Sequence, residues 1–148
     1  SGTTEETRAT EGFYLNRRPA VAEALPAALE EIRRSWLNGD FTKMSARFRL
    51  EGKVRVFPRG QFKYAVDTKE FTTMLKEAMA RIDTLAFAFH APRALRPDRV
   101  FVTGRHLFLD ADKIRQETNI SYVLERTDGR WFIVEAGSSN APIVDHQE

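Results

Sequence analysis

Apolar positions along the chain follow two periods, and each change of period marks an element. From Val21 a spacing of three and four (Val21, Leu25, Ala28, Leu29, Ile32, Trp36) predicts a helix with one buried stripe. Pro19 suits its start, and Pro26 implies a kink or a second start. Gly39 fits a left-handed cap after Leu37-Asn38, and Asp40 can cap a second, shorter helix carrying Phe41, Met44 and Phe48 on one face. Val54 and Val56 then give a short strand, with Arg55 and Phe57 on its other side, ended by Pro58-Arg59-Gly60. Asp67-Thr68-Lys69-Glu70 reads as a capping box opening a third helix, whose stripe is Phe71, Met74, Leu75, Ala78, Met79 and Ile82.

After Asp83 the period falls to two. The runs Leu85 to Ala91 and Val100 to Leu109 read as strands, separated by a segment whose two prolines, Pro92 and Pro97, cannot sit in a central strand. Asp110 to Glu117 is polar and reads as a loop. Asn119 to Ser139 then forms two short β-type runs around Asp128-Gly129, a dipeptide that tolerates positive φ at both central positions of a hairpin turn. Ile120, Tyr122 and Leu124 share one face before the turn. After it, strict alternation groups Trp131, Ile133 and Glu135 against Phe132, Val134 and Ala136, so both faces are largely apolar, as in an interior strand. Helices gathered on one face of a mainly antiparallel sheet make the fold class α+β.

Composition adds little to this and excludes much. At 148 residues the chain is one domain, with a tail and short apolar arm over 1–18 (Phe13, Tyr14, Leu15), a single domain over 19–139 and a patternless C-terminal tail over 140–148. With no cysteine there is neither a disulfide framework nor a thiolate nucleophile or metal site. No apolar run reaches the ~18 residues of a membrane span, and no signal peptide is visible. The opening Ser1-Gly2 lacks an initiator Met, so an upstream segment is expected to have been removed. The compartment is left open between cytoplasm and export after loss of a signal, in either case as a soluble protein. Charge is nearly balanced at +2, yet Lys43, Arg47, Arg49, Lys53, Arg55, Arg59 and Lys63 face only Glu51 in their stretch. Phe57, Phe62 and Tyr64 interleave with that run as on a single-strand nucleic-acid surface, but the low net charge and the lack of an RNA-binding motif favour a solvated face.

Four pieces together carry a resemblance: Trp36-Leu37-Asn38-Gly39-Asp40 between two helices, the strand from Val54 to Arg59, the capped helix from Asp67, and the closing Thr127-Asp128-Gly129-Arg130-Trp131-Phe132-Ile133. In this order and spacing, over about residues 20–139, the chain resembles the nuclear transport factor 2-like (SnoaL-like, cystatin-type cone) superfamily. The resemblance implies a bent sheet wrapped around the N-terminal helices and the third helix, enclosing a cone-shaped pocket. It also implies a homodimer through the outer sheet face. Such folds host isomerases, dehydratases, epoxide hydrolases and cyclases as well as non-catalytic modules, so the fold leaves function open. Where many relatives carry histidines late in the last strand, this chain has Glu135, Gly137 and Ser139. The paired aspartates of a ketosteroid-isomerase-like site are not evident within the strands.

Candidate chemistry is therefore sparse. Glu135, grouped with Trp131 and Ile133 and so expected at the cavity, is the first choice for an acid or base, with His106 and His90 as alternatives. The two histidines match no local metal motif, and no metal or cofactor is expected. His146, in the tail, is set aside. Trp36, Phe57, Phe89, Phe108 and Trp131 are expected to line the pocket, with Arg55 able to hold a carboxylate and Tyr122 able to donate to a ligand carbonyl. No glycine-rich phosphate loop and no serine-histidine-acid spacing stands out. The expectation is a pocket for a small, mainly apolar organic ligand. The alternatives are a lyase, isomerase or cyclase using Glu135 or a pocket histidine as base, and a dimeric assembly module.

Overall fold

A computed structural model describes residues 22–148. The arm at 13–15, Pro19 and Val21 lie outside the described residues. Three helices, α1 (Leu25–Asn38), α2 (Phe41–Ser45) and α3 (Thr68–Arg81), are set among seven strands: β1 (Lys53–Val56), β2 (Tyr64–Asp67), β3 (Asp83–Phe89), β4 (Arg93–Arg96), β5 (Arg99–Leu109), β6 (Arg115–Thr127) and β7 (Arg130–Ser139). They form one bent sheet in the order β2-β1-β7-β6-β5-β3, with β4 also on β5. Pairing is antiparallel except between β1 and β7. This is the expected α+β cone.

Local chemistry explains most boundaries. Pro26 lies in the first turn of α1, where its missing N–H would be unpaired anyway, so the helix starts at Leu25 without a kink. Gly39 closes the helix at φ 62°, and the Asp40 carboxylate accepts the Lys43 N–H at 3.1 Å to open α2. At α3 the expected capping box does not form: the Asp67 carboxylate accepts no N–H of the first turn and pairs with Lys53 at 3.2 Å instead. Two strands, β2 and β4, escaped the sequence pattern. The segment between Pro92 and Pro97 is not a loop but holds β4, which continues along β5 from where β3 leaves it. A strand paired on one side only is where flanking prolines are tolerated. The Asp128-Gly129 turn forms as expected, with φ of 52° and 79°.

One irregularity decides which side chains face which way. Along β6 and β7 the register runs Leu124 opposite Ile133 and then Val123 opposite Glu135, so Val134 is an extra residue, a β-bulge. Trp131 and Ile133 face the concave side, where they join Val102, Tyr122 and Leu124 against Ile32 of α1 and Met44 of α2. Past the bulge the alternation is inverted. Ala136 is concave, while Val134 and Glu135 turn to the convex side with Phe101 and Val123. The segment after Ser139 folds back over this convex face as a strap. Ile143 is buried against Phe101 and Val123, and Gln147 exchanges backbone hydrogen bonds with Gly60 and Phe62 at 2.7 and 2.9 Å.

The basic run is also rearranged. Arg47 is 2% exposed, not solvated: its guanidinium grips Glu23 at 2.8 and 2.6 Å, Glu31 at 2.9 and 2.5 Å, and the Trp131 carbonyl at 3.0 Å. The Arg47 hydrogen bonds hold the Glu23 carboxyl below its ordinary pKa, against the opposing effect of burial. Residues 23 and 31 are thereby tied to the start of β7.

Candidate functional site

The concave face and α3 line a cavity of about 380 Å³. Helix α3 buries only part of its apolar stripe; Phe71, Leu75 and Ala78 form one wall of the cavity. Opposite stand Ile120 and Tyr122 of β6, His106 and Phe108 of β5, and Trp36 of α1. Alternation along β5 and β6 puts these strand residues on one face, and the register sets His106 opposite Thr118 and Val102 opposite Tyr122.

The cavity wall is apolar apart from a few groups, and no lining residue carries a carboxylate, ammonium or guanidinium. His106 is 4% exposed, boxed by the rings of Trp36, Phe87 and Phe108 at centroid distances of 4.8, 5.1 and 4.8 Å. Burial pushes its pKa down to about 4, so the ring is neutral at pH 7. Its Nε2 meets the Thr84 hydroxyl at 2.8 Å, which fixes the ring plane. Tyr122 accepts the Trp36 indole N–H at 3.1 Å, which leaves its own phenolic proton to be donated. Burial raises the Tyr122 pKa to about 12, only partly offset by the Trp36 hydrogen bond, so it stays a neutral donor.

Of the residues expected here, Trp36, His106, Phe108 and Tyr122 are brought together at the cavity. Phe89 and Trp131 lie in the concave core, Phe89 against Phe87 and Tyr122, and Trp131 with its indole N–H on the Glu23 carbonyl at 3.0 Å. His90 is exposed just past β3. Arg55, Phe57 and Glu135 are on the other side of the sheet. The bulge at Val134 is the reason for Glu135, and Arg55 follows because it is its register partner on β1.

On that convex side the strap brings in His146, which sequence reasoning discarded. Its Nδ1 meets Glu135 at 2.9 Å, its Nε2 meets the Ser121 hydroxyl at 2.7 Å, and its ring stacks on Phe57 at 4.3 Å. Glu135 also accepts from Arg55 at 3.1 Å and Arg99 at 2.8 Å. Burial would raise the Glu135 pKa, but the His146 hydrogen bond and the Arg99 and Arg55 charges outweigh it and hold it below the ordinary carboxylate value. The order serine, histidine, carboxylate has the connectivity of a nucleophilic triad. Ser121, however, is completely buried under the residue that would activate it. A hydroxyl without access to substrate cannot attack, so this chain of hydrogen bonds fastens the strap.

The SnoaL-like domain family matches residues 25–144, from the first turn of α1 into the strap. The chain belongs to that family. Among solved structures, an NTF2-like protein of unknown function from Shewanella oneidensis superposes with a TM-score of 0.59 at 18% identity, over 78% of this chain and 95% of that one. A ketosteroid isomerase-like protein from Erwinia carotovora atroseptica gives 0.60 at 15% identity, over 86% and 99%. At these identities the likeness is one of fold. No curated protein matches the chain. In this SnoaL-like domain the cavity has no acid for a carboxylate-based mechanism, and among the described residues no cluster of histidine and carboxylate ligands could hold a metal. No helix among the described residues is long and apolar enough to cross a membrane. Thr84 was missed because it and His106 come from different strands whose pairing only the register reveals. His146 had no signal at all, since no periodic pattern covers the strap.

Proposed function

We propose that this SnoaL-like domain binds a small, neutral, mainly apolar organic ligand in the concave cavity, with Tyr122 and His106 fixing its one polar group. The observation that supports this is an apolar chamber whose few polar side chains, among them Tyr122, His106, Thr118 and Ser138, are neutral, with no charged group in its wall. Tyr122 supplies a donor suited to a carbonyl or hydroxyl oxygen, and a ligand carboxylate would be left without a counter-charge. Trp36 and Phe108 supply flat contact surface. Arg55, Phe57 and Glu135 take no part in this reading, and no cofactor is needed for it.

A lyase or isomerase reading rests on the same chamber, with His106 as base. Its depressed pKa argues against it, because general bases work best with a pKa near the working pH. Pairing of two copies through the convex face would bury the strap in the interface.

The test is titration of α-tetralone and its hydrocarbon counterpart tetralin, read by tryptophan fluorescence, since Trp36 is in the wall. About a dozen heavy atoms at ~0.5 kcal/mol each gives a Kd on the order of tens of micromolar for the ketone. Tyr122→Phe should weaken the ketone roughly tenfold and leave the hydrocarbon unchanged. Ala78→Trp, at an exposed position of the wall, should block both. Equal affinity of the wild-type protein for the two compounds, or no binding of either, refutes the reading.

A further inference from the structure

The convex face carries a second pocket, of about 240 Å³, that the cavity proposal leaves unused. Its floor is Glu135, whose one oxygen accepts from both Arg55 and Arg99, so two guanidinium groups share a single buried carboxylate. Two arginines of the pocket also lie over aromatic rings. The Arg55 guanidinium lies 5.2 and 4.7 Å from the ring centres of Phe57 and Phe62, and that of Arg93 lies 5.3 Å from Phe101. A guanidinium lying over a ring can keep its N–H edge for a planar acceptor. Arg93 uses that edge only for the Val144 carbonyl at 3.3 Å, and among the described residues it meets no carboxylate. The free edge of Arg55 is taken by Glu148, whose side chain is 71% exposed. The site thus already holds a carboxylate, and that carboxylate is on a largely solvent-exposed side chain.

The geometry points to a binding site for a small carboxylate with a compact apolar body, in which the ligand replaces Glu148 on Arg55 beside Arg93. Leu95, Phe101 and Val123 give the apolar body its contact. With Glu148 in place, Arg55 pairs with Glu135 and Glu148, and Arg99 pairs with Glu135 and Glu125. Once Glu148 swings out, Arg55 keeps only its share of Glu135 beside Arg93, and an incoming monoanion supplies the missing carboxylate. An exposed ion pair such as that of Glu148 contributes little net stability, so its displacement is easy. This inference is independent of the concave cavity, where a carboxylate would find no cation.

The probe is benzoate, with benzyl alcohol as its neutral counterpart, followed by ¹⁵N NMR of backbone amides and arginine Nε–H groups. Benzoate should shift the Arg55 and Arg93 Nε–H signals, and benzyl alcohol should not. Removing the internal competitor with Glu148→Gln should tighten benzoate by about three- to tenfold, since the resident carboxylate acts at high effective concentration. Arg93→Gln and Arg55→Gln should each weaken it by roughly tenfold through loss of a charge-assisted hydrogen bond. Benzoate shifts confined to the amides of Tyr122 and Ala136 would overturn the proposal by placing the ligand in the concave cavity. So would an affinity indifferent to Glu148→Gln and Arg93→Gln, or no shift in any of these proteins.

Discussion

Replacing His106 by phenylalanine should flatten the acid side of the stability profile. The ring is enclosed by Trp36, Phe87 and Phe108, and Thr84 is its one hydrogen-bonding neighbour in the described structure. No charged side chain lines the cavity beside it to stabilise an imidazolium. Burial therefore lowers its pKa from 6.5 to about 4. An unfolded chain takes up the proton as pH falls through 6.5, whereas the folded chain refuses it until about 4. Over that window the unfolded state binds more protons, so stability is present above it and is lost as pH falls. Between pH 8 and pH 5 the linkage relation with these two values gives a loss of about 2 kcal/mol.

The lowered carboxylates act in the same direction but later. Glu23 and Glu135 contribute above the ordinary carboxylate pKa and are lost only as pH falls through their depressed native values. Stopping at pH 5 separates them from His106. Urea unfolding at pH 8 and pH 5 should show the wild-type protein losing about 2 kcal/mol more than His106→Phe across the interval. The orphaned Thr84 hydroxyl in the variant costs the same at both pH values and drops out of the difference. An equal loss in the two proteins would refute the reasoning and show that His106 takes up its proton as readily in the folded state as in the unfolded chain.

Arg47→Ala should cost about 3 kcal/mol or more in urea unfolding, because it leaves the part-buried Glu23 and Glu31 without their counter-charge; a loss under 1 kcal/mol would mean that both carboxylates reach water. Ile143→Ala should cost about 2–4 kcal/mol and expose the strap to limited proteolysis after Ser139, since Ile143 is the apolar anchor against Phe101 and Val123; unchanged cleavage would show that the Glu135–His146–Ser121 chain alone holds the strap down.

What could be read from the sequence was local. The Asp128-Gly129 turn, the Gly39 cap and the Asp40 cap each depend on one or two residues and their own backbone, and each forms as written. The shared face of His106, Phe108 and Tyr122 was legible too, because regular alternation runs unbroken through β5 and the start of β6. The partners that complete the cavity and the clamp were not. Thr84 with His106, and Arg47 with Glu23 and Glu31, join residues whose proximity is set by register and by the path of α2. Nothing periodic announces such pairs.

Glu135 shows why an apolar strand misleads most where it matters. When both faces of a strand are apolar, inserting one residue changes the direction of every later side chain without disturbing the pattern. Val134 does this. Ile133 before it and Ala136 after it are both concave, three positions apart, where strict alternation would put them on opposite faces. Without the bulge the carboxylate would enter a chamber that offers it no cation. With the bulge it meets Arg55, Arg99 and His146 across the sheet. The inserted residue thus separates two chemistries on one strand. It keeps charged side chains out of the concave cavity and collects the ionic groups on the convex face, beneath the strap.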